Sequence, residues 1–218
     1  MQRGIFITLE GGEGGGKSTQ AKLLAEALTT RGHQVMLTRE PGGSPGAEAI
    51  RALLVQGEIN RWEGLTEALL HNAARHDHLT KAIQPALARG VMVVCDRFAD
   101  STMAYQGYGL GVDRATLTAL YRMVAGTFLP DLTLILDLPV EIGLARANAR
   151  KTNVAESRYE NMAAMFHERL REGFRAIAAS EPGRCRLIDA NRSVEAIHAD
   201  IFAAVQPVCE NKVRRARP

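Results

Sequence analysis

The chain has 218 residues, of which 46% are hydrophobic and 23% are charged, as is ordinary for one globular domain. A formal net charge of +3 is too small to indicate a nucleic-acid partner, and no stretch is long and apolar enough to cross a membrane. Three widely spaced cysteines without metal-site spacing favour a reduced, cytoplasmic protein. We expect one domain over 1–218 that ends in a solvated basic tail at 211–218.

Apolar strand patterns alternate with helical patterns along the chain. Short apolar runs predict buried parallel strands at 5–9, 34–38, 91–95, 132–136 and 185–189. Helical patterns cover 17–31, 66–89 with a break near Pro85, and 159–178. This alternation predicts an α/β fold, in which a five-stranded parallel sheet carries helices on both faces. Ligands of such sheets bind at the carboxyl ends of the strands.

The helical pattern at 159–178 carries a single apolar stripe. Its members are Tyr159, Met162, Phe166, Leu170, Phe174 and Ile177. Such a stripe can pack into the core or contact a second subunit, and we expect core packing because that is the commoner use. Cys95 and Cys185 lie within apolar runs and are expected in the core as well.

The first strand leads into a glycine-rich segment, "GGEGGGKS" at 11–18, which fits the phosphate-loop pattern G-x-x-x-x-G-K-[ST]. In such a loop, backbone N–H groups surround the β-phosphate, Lys17 reaches the β- and γ-phosphates, and Ser18 holds Mg²⁺. The alternative is a glycine-rich turn with a chance lysine, which the flanking strand and helix disfavour. The residues predicted to bind ATP are Gly11, Gly12, Glu13, Gly14, Gly15, Gly16, Lys17, Ser18 and Thr19.

The third strand leads into Asp96 and Arg97. Asp96 follows four apolar residues, as does the carboxylate that faces Mg²⁺ in phosphate-loop enzymes. Arg97 offers a two-pronged fork for a phosphate group, and a surface salt bridge is the alternative. These motifs indicate a nucleoside triphosphate with Mg²⁺ but leave the reaction open, since switches, motors and kinases share them.

With these segments in place, the sequence resembles the bacterial thymidylate kinases. The matching segments follow the order of that family over nearly the whole chain. They are "LEGGEGGGKST", "TREPGG", "AAR" at 73–75, "DRF", "AYQG" and "PDLTLILDLPVEIGLAR" at 130–146. The resemblance implies the phosphate-loop NTPase fold with a mobile lid. It also implies transfer of the γ-phosphoryl group of MgATP to dTMP, giving dTDP, in a homodimer.

The resemblance assigns roles to residues around the acceptor nucleotide. Glu13 corresponds to a loop carboxylate that binds the deoxyribose 3′-hydroxyl, and Arg97 to the arginine that clamps the 5′-phosphate. Arg75 corresponds to the arginine that contacts the base, while Thr102 and Tyr105 line the base and the 2′ side of the sugar. The other residues assigned here are Gln106, within "AYQG", and Arg39, Glu40 and Arg51, for which an ordinary ion-pair network is the alternative.

A further set of cations lies at 145–160, which resembles the lid of the family. Some members carry an arginine inside the glycine loop, whereas this loop has "EGG" at 13–15. The transferring phosphoryl group still needs cationic stabilisation, and the lid offers Arg146, Arg150, Lys151 and Arg158. Arg150 and Arg158 are assigned to catalysis and Arg146 to the ATP site, with a solvated basic helix end as the alternative. By position, "DANRS" at 189–193 is the expected wall of the adenine site.

Two features depart from the family pattern. Lids of this type commonly read R-G-x-L-D-R-x-E, whereas this chain has "RKTNVAESRYE" at 150–160. Where the family usually has a phenylalanine that stacks on thymine, this chain has His71. An imidazole can stack on a pyrimidine with less area, or it can turn to solvent, and the sequence leaves both open. Stacking predicts that dUMP or a 5-substituted dUMP is accepted beside dTMP. The alternative functions are a kinase for another pyrimidine deoxynucleoside monophosphate and a phosphate-loop ATPase switch; the arginines of a second phosphate site disfavour the switch.

Overall fold

The computed structural model describes residues 3–58, 61–149, 159 and 162–215, with side chains as far as residue 210. Its strands are β1 (Phe6–Glu10), β2 (Val35–Arg39), β3 (Met92–Asp96), β4 (Leu132–Asp137) and β5 (Cys185–Asp189). All neighbouring strands are parallel, in the order β2-β3-β1-β4-β5. The predicted five-stranded parallel sheet is therefore confirmed, with each predicted strand within one residue of its observed position.

The helices fall on the three predicted helical patterns, 17–31, 66–89 and 159–178, and on segments for which no helix was predicted. They are α1 (Lys17–Thr30), α2 (Pro45–Val55), α3 (Gly64–His78), α4 (Gln84–Ala88), α5 (Ala99–Thr102), α6 (Arg114–Ala125), α7 (Val140–Ala149), α8 (Ala164–Ser180) and α9 (Val194–Arg215). A wider π-helical turn at Leu79–Ile83 joins α3 to α4, and another at Met103–Gly109 follows α5. The break predicted near Pro85 corresponds to the π-helical turn at Leu79–Ile83, which ends just before the proline. Helix α8 begins at Ala164, five residues later than predicted.

Both faces of the sheet are buried. In β1, Ile7 and Leu9 join an apolar cluster with α1 and α9, whereas Phe6 joins a second cluster with α4. Side chains alternate along a strand, so Thr8 and Glu10 share the face of Phe6, and both are fully buried. A buried polar pair on this face has to be compensated by hydrogen bonds.

The apolar stripe of 159–178 is core, as predicted. Phe166, Leu170, Phe174 and Ile177 form one buried cluster, against which Tyr159 and Met162 pack while partly exposed. Cys95 and Cys185 are buried free thiols, also as predicted. Among the described residues, no helix combines the length and the apolar character that crossing a membrane requires.

Candidate active site

The glycine loop lies between the end of β1 and the start of α1. Gly11, Gly14 and Gly16 have positive φ values of 128°, 70° and 83°, a region that side chains other than glycine rarely adopt. A Cβ atom added at Gly14 would lie 2.0 Å from the carbonyl oxygen of Gly143 in α7. The loop backbone therefore lies directly on the backbone of α7, and position 14 has no room for a side chain.

Lys17 begins α1 and is buried against the loop. Its Nζ donates a hydrogen bond to the carbonyl oxygen of Gly12 at 2.7 Å. Burial, together with repulsion from Arg97, lowers the pKa of Lys17 to about 8, although Glu13 and Asp96 oppose this shift. A phosphate group placed here would add negative charge beside Lys17 and so favour its charged form.

Ser18 and Asp96 are brought together by the pairing of β1 with β3. The hydroxyl of Ser18 donates to the carboxylate of Asp96. A hydroxyl oxygen and a single carboxylate are the donors from which Mg²⁺ is held in many nucleotide sites, the remaining positions being taken by water and phosphate. The two residues predicted to hold Mg²⁺ therefore fit that ion.

Arg97 connects the glycine loop with α5. Its guanidinium donates to the carbonyl oxygen of Gly11 at 3.0 Å, to Ser101 Oγ at 3.2 Å and to Glu13 Oε1 at 3.1 Å. It also lies 4.9 Å from the centre of the Tyr105 ring. Arg97 has a φ of 71° and is the one residue other than glycine, among those described, with a positive φ. Arg97 thus points into the site instead of forming the surface salt bridge considered above.

Glu13 is ionised in this setting. Burial opposes its ionisation, but Arg97 and Lys17 outweigh burial and lower the pKa of Glu13 to about 2. The hydroxyl of Tyr105 also donates to this carboxylate. A carboxylate held in this way can accept a further hydrogen bond from a hydroxyl group of a bound molecule.

A cavity of about 150 Å³ opens beside the loop. Of the ten residues assigned to the surroundings of the acceptor, nine line it: Glu13, Glu40, Arg51, His71, Arg75, Arg97, Thr102, Tyr105 and Gln106. The tenth, Arg39, lies outside it and pairs with Glu48 at 3.2 Å on the surface. Arg51 donates to the carbonyl oxygen of Pro41 at 2.9 Å, which holds it at the cavity wall.

Arg75 is held rigidly although it is almost fully buried. Its Nε donates to Glu40 at 2.9 Å, and a terminal nitrogen donates to Thr102 Oγ1 at 3.0 Å. The other oxygen of Glu40 lies 3.2 Å from His78 Nδ1, and His78 Nε2 lies 2.8 Å from Thr38 Oγ1. His78 is missing from the sequence-based site. Its position in the turn after Arg75, on the same face of α3, is the signal that could have found it.

His71 faces the cavity. Its Nε2 lies 3.3 Å from the hydroxyl of Tyr159, which donates to the buried Glu67 at 2.9 Å. The ring of Tyr159 also meets that of Tyr105 edge to face, with centres 5.3 Å apart. Gln106 is fully buried nearby, and its Oε1 has no hydrogen-bond partner among the described residues. Tyr159 also lines the cavity and Glu67 holds its hydroxyl, and sequence reasoning assigned neither residue to the site.

The donor side is described only in part. Arg146 in α7 donates to the carbonyl oxygen of Ala190 at 3.0 Å, which links α7 to the expected adenine wall at 189–193. Arg150 and Arg158, to which catalysis was assigned, and Lys151 lie outside the described residues.

The first strand of the parallel sheet leads into a phosphate loop, and a cavity with its own arginines lies beside this loop. Together these features define a phosphate-loop nucleoside monophosphate kinase. The family model for thymidylate kinase matches residues 9–201. The chain belongs to the thymidylate kinase family.

Known relatives cover almost the whole chain. The thymidylate kinase of Caulobacter vibrioides is 55% identical over 205 residues, which are 94% of this chain and 97% of that one. That of Gluconobacter oxydans is 54% identical, covering 93% of this chain and 94% of its own. The solved structure of thymidylate kinase from Ehrlichia chaffeensis matches with a TM-score of 0.74 and 35% identity, over 93% of this chain and 99% of that chain. The resemblance of the sequence is confirmed, and the protein is a phosphotransferase.

Proposed function

We propose that a donor site for ATP and a neighbouring acceptor site for dTMP together carry out the reaction of this kinase. In that reaction the γ-phosphoryl group of ATP passes to dTMP. A 5′-phosphate oxygen of dTMP forms the new bond to the γ-phosphorus. The bond between that phosphorus and the β–γ bridging oxygen breaks, and ADP and dTDP leave. One observation carries this proposal: Arg97 binds both the glycine loop, through Gly11 and Glu13, and the acceptor cavity wall, through Ser101.

On the donor side, we assign the phosphates of ATP to the backbone of the glycine loop and to Lys17. Ser18 and Asp96 would hold Mg²⁺, which neutralises charge on the β- and γ-phosphate oxygens. Thr19, in the first turn of α1, is also assigned to the ATP site. The lid residues Arg150 and Arg158 are proposed to stabilise the transferring group, with Arg146 beside the adenine wall.

On the acceptor side, we assign the 5′-phosphate of dTMP to Arg97 and the 3′-hydroxyl to Glu13. Tyr105 lies under the 2′ side of the sugar, where its ring leaves little room for a ribose hydroxyl. The base then extends to Arg75, whose planar guanidinium has five N–H donors, of which Glu40, Thr102 and Asn72 each take one. Gln106 and Arg51 complete the wall.

The base preference should depend on His71. With the imidazole at the cavity wall, we expect dUMP or a 5-substituted dUMP to be phosphorylated beside dTMP, because a histidine covers less of the base than a phenylalanine. Release of ADP would be measured for a panel of nucleoside monophosphates, with wild type and His71→Phe side by side. His71→Phe should favour dTMP by a few-fold more than wild type, on the order of the ~1 kcal/mol of one aromatic contact.

The same panel tests the function itself. Equal selectivity of both proteins would remove His71 from base recognition. A wild-type preference for dUMP over dTMP would support the alternative kinase. ADP release that no nucleoside monophosphate stimulates would support the ATPase switch.

Glu13→Gln should weaken dTMP more than it weakens 3′-deoxy-dTMP. The ionised carboxylate accepts from the 3′-hydroxyl, and a hydrogen bond to a charged group contributes about 1.5–3 kcal/mol, hence roughly 10- to 100-fold in affinity. The analogue without that hydroxyl has no such bond to lose. Dissociation constants of both nucleotides would be measured by calorimetry, and equal losses would place Glu13 away from the sugar.

We also propose that the enzyme is a cytoplasmic homodimer with no nucleic-acid partner. Leu65 and Leu69 lie one turn apart on α3 and are 46% and 49% exposed, and Leu53 on the adjoining α2 is 40% exposed. Exposed leucines on two adjoining helices suit contact with a second copy of the chain. A monomer mass by light scattering would contradict this assembly.

A further inference from the structure

Glu10 is a charged residue at the end of β1 that the proposed reaction does not use. It is fully buried, so its two carboxylate oxygens need donors. One oxygen accepts from the backbone N–H of Phe98 at 2.7 Å, and the other accepts from Ser101 Oγ at 2.5 Å. Both donors belong to the segment that directly follows Arg97.

We propose that Glu10 is a positioning residue for the phosphate clamp, because it fixes both the backbone turn and the guanidinium of Arg97. This inference rests on the proposed role of Arg97 at the 5′-phosphate. Glu10 itself does not touch the acceptor nucleotide and acts through Phe98 and Ser101.

The backbone of Arg97 is held from both sides by β1. Its φ of 71° lies in the left-handed region, which a residue with a side chain adopts only when its surroundings impose it. The N–H of Arg97 donates to the carbonyl oxygen of Leu9 at 2.9 Å. The next N–H, of Phe98, donates to Glu10. The two peptide groups that flank Arg97 are therefore fixed by consecutive residues of β1.

Glu10 also fixes the side chain of Arg97, through the hydroxyl of Ser101. Ser101 Oγ donates to Glu10 and accepts from the guanidinium of Arg97 at 3.2 Å. A hydroxyl has one proton, so the bond to Glu10 turns the oxygen lone pairs of Ser101 towards Arg97. Loss of the carboxylate frees this hydroxyl to rotate.

The charges around Glu10 define the conditions for a test. Burial, and then repulsion from Asp100, raise the pKa of Glu10 to about 7, while Ser101 and Arg97 oppose the rise. Asp100 is itself paired with Arg184 at 2.7 Å. Measurements at about pH 8 keep Glu10 ionised, because that pH lies above its raised pKa.

The experiment compares Glu10→Gln, Ser101→Ala and the double variant with wild type. Glutamine keeps the size of Glu10 but replaces one acceptor oxygen with an N–H donor, so it can no longer accept from both Phe98 N–H and the Ser101 hydroxyl, and the proton of Ser101 has to turn elsewhere. Thr8→Val is the matched control: Thr8 lies on the same buried face of β1 and bonds to Thr133 at 2.8 Å, away from Arg97. Dissociation constants for dTMP, thymidine and ATP would be measured for each protein.

We expect Glu10→Gln to weaken dTMP on the order of tenfold, while thymidine and ATP change by less than about twofold. Thymidine lacks the phosphate that Arg97 holds, so a phosphate-specific loss separates positioning from general loosening. The double variant should bind dTMP as tightly as whichever single variant binds it less tightly. The reason is that both changes break the same series of hydrogen bonds, from Glu10 through Ser101 to Arg97. Thr8→Val should lower thermal stability and leave the ratio of dTMP to thymidine affinity unchanged.

Equal losses for dTMP and thymidine would overturn the proposal, as would additive losses in the double variant or a phosphate-specific loss in Thr8→Val. If Glu10→Gln does not fold, Ser101→Ala decides alone, and undiminished dTMP affinity in that variant refutes the chain of bonds. A wild-type protein that bound ATP but no dTMP would instead refute the proposed function.

Discussion

Replacing Lys17 by alanine is expected to lower kcat by about 10³-fold or more, because this cation balances charge that grows on the transferring phosphoryl group. The side chain is already buried within the loop, 2.7 Å from the carbonyl oxygen of Gly12, and needs only to turn towards the nucleotide. Steady-state release of ADP in the presence of dTMP gives the rate. Thermal unfolding of the same sample shows whether the fold survives.

The matched control for Lys17→Ala is Lys22→Ala. Lys22 is an exposed residue of the same helix, so its loss removes the same charge from α1 without touching the loop. We expect its kcat to stay within about twofold of wild type, as surface substitutions usually do. Near-normal turnover of Lys17→Ala, or an equal loss in Lys22→Ala, would argue against the phosphate-loop role.

Replacing Arg97 by alanine is expected to lower kcat/KM for dTMP by about 10²-fold or more, since a fork that binds a phosphate in the transition state contributes strongly. Arg97→Lys should recover only part of this loss. Lysine keeps the charge but cannot donate at once to Gly11, Ser101 and Glu13 as the guanidinium does. The rates would be measured at saturating ATP.

Arg97→Gly separates the backbone of this residue from its side chain. Glycine adopts a φ of 71° without strain, whereas alanine does not, so the glycine variant should unfold with a free energy about 1 kcal/mol higher than the alanine variant. Both variants should be equally slow with dTMP. Chemical denaturation gives the free energies of unfolding, and an alanine variant as stable as the glycine variant would show that position 97 is not strained.

The sequence predicts the sheet and the glycine loop well because each is encoded locally. Each strand is a continuous apolar run, and the loop is one contiguous segment whose glycines are required by its positive φ values. Ser44 and Pro45 also carry a local signal that was overlooked. Ser44 accepts from the backbone N–H of Ala47 and caps α2, a helix that was not predicted.

The walls of the acceptor cavity are harder to predict because they depend on contacts between distant segments. Glu40 reaches Arg75 and His78 across 35 and 38 residues, and Tyr159 reaches Glu67 across 92. The helical spacing of the apolar stripe also led to a wrong placement of Tyr159, which was predicted to lie within the helix. The apolar stripe runs past the start of α8, so Tyr159 joins the same cluster from outside the helix and keeps its hydroxyl for Glu67.

The contact between the glycine loop and α7 restricts how this active site can evolve. A side chain at position 14 would place its Cβ 2.0 Å from the carbonyl oxygen of Gly143. Any other residue at this position therefore requires a shift of α7 as well. An inhibitor that lies against the backbone at position 14 is therefore harder to escape by substitution there than at Gly12, where an added Cβ would meet nothing within 4 Å.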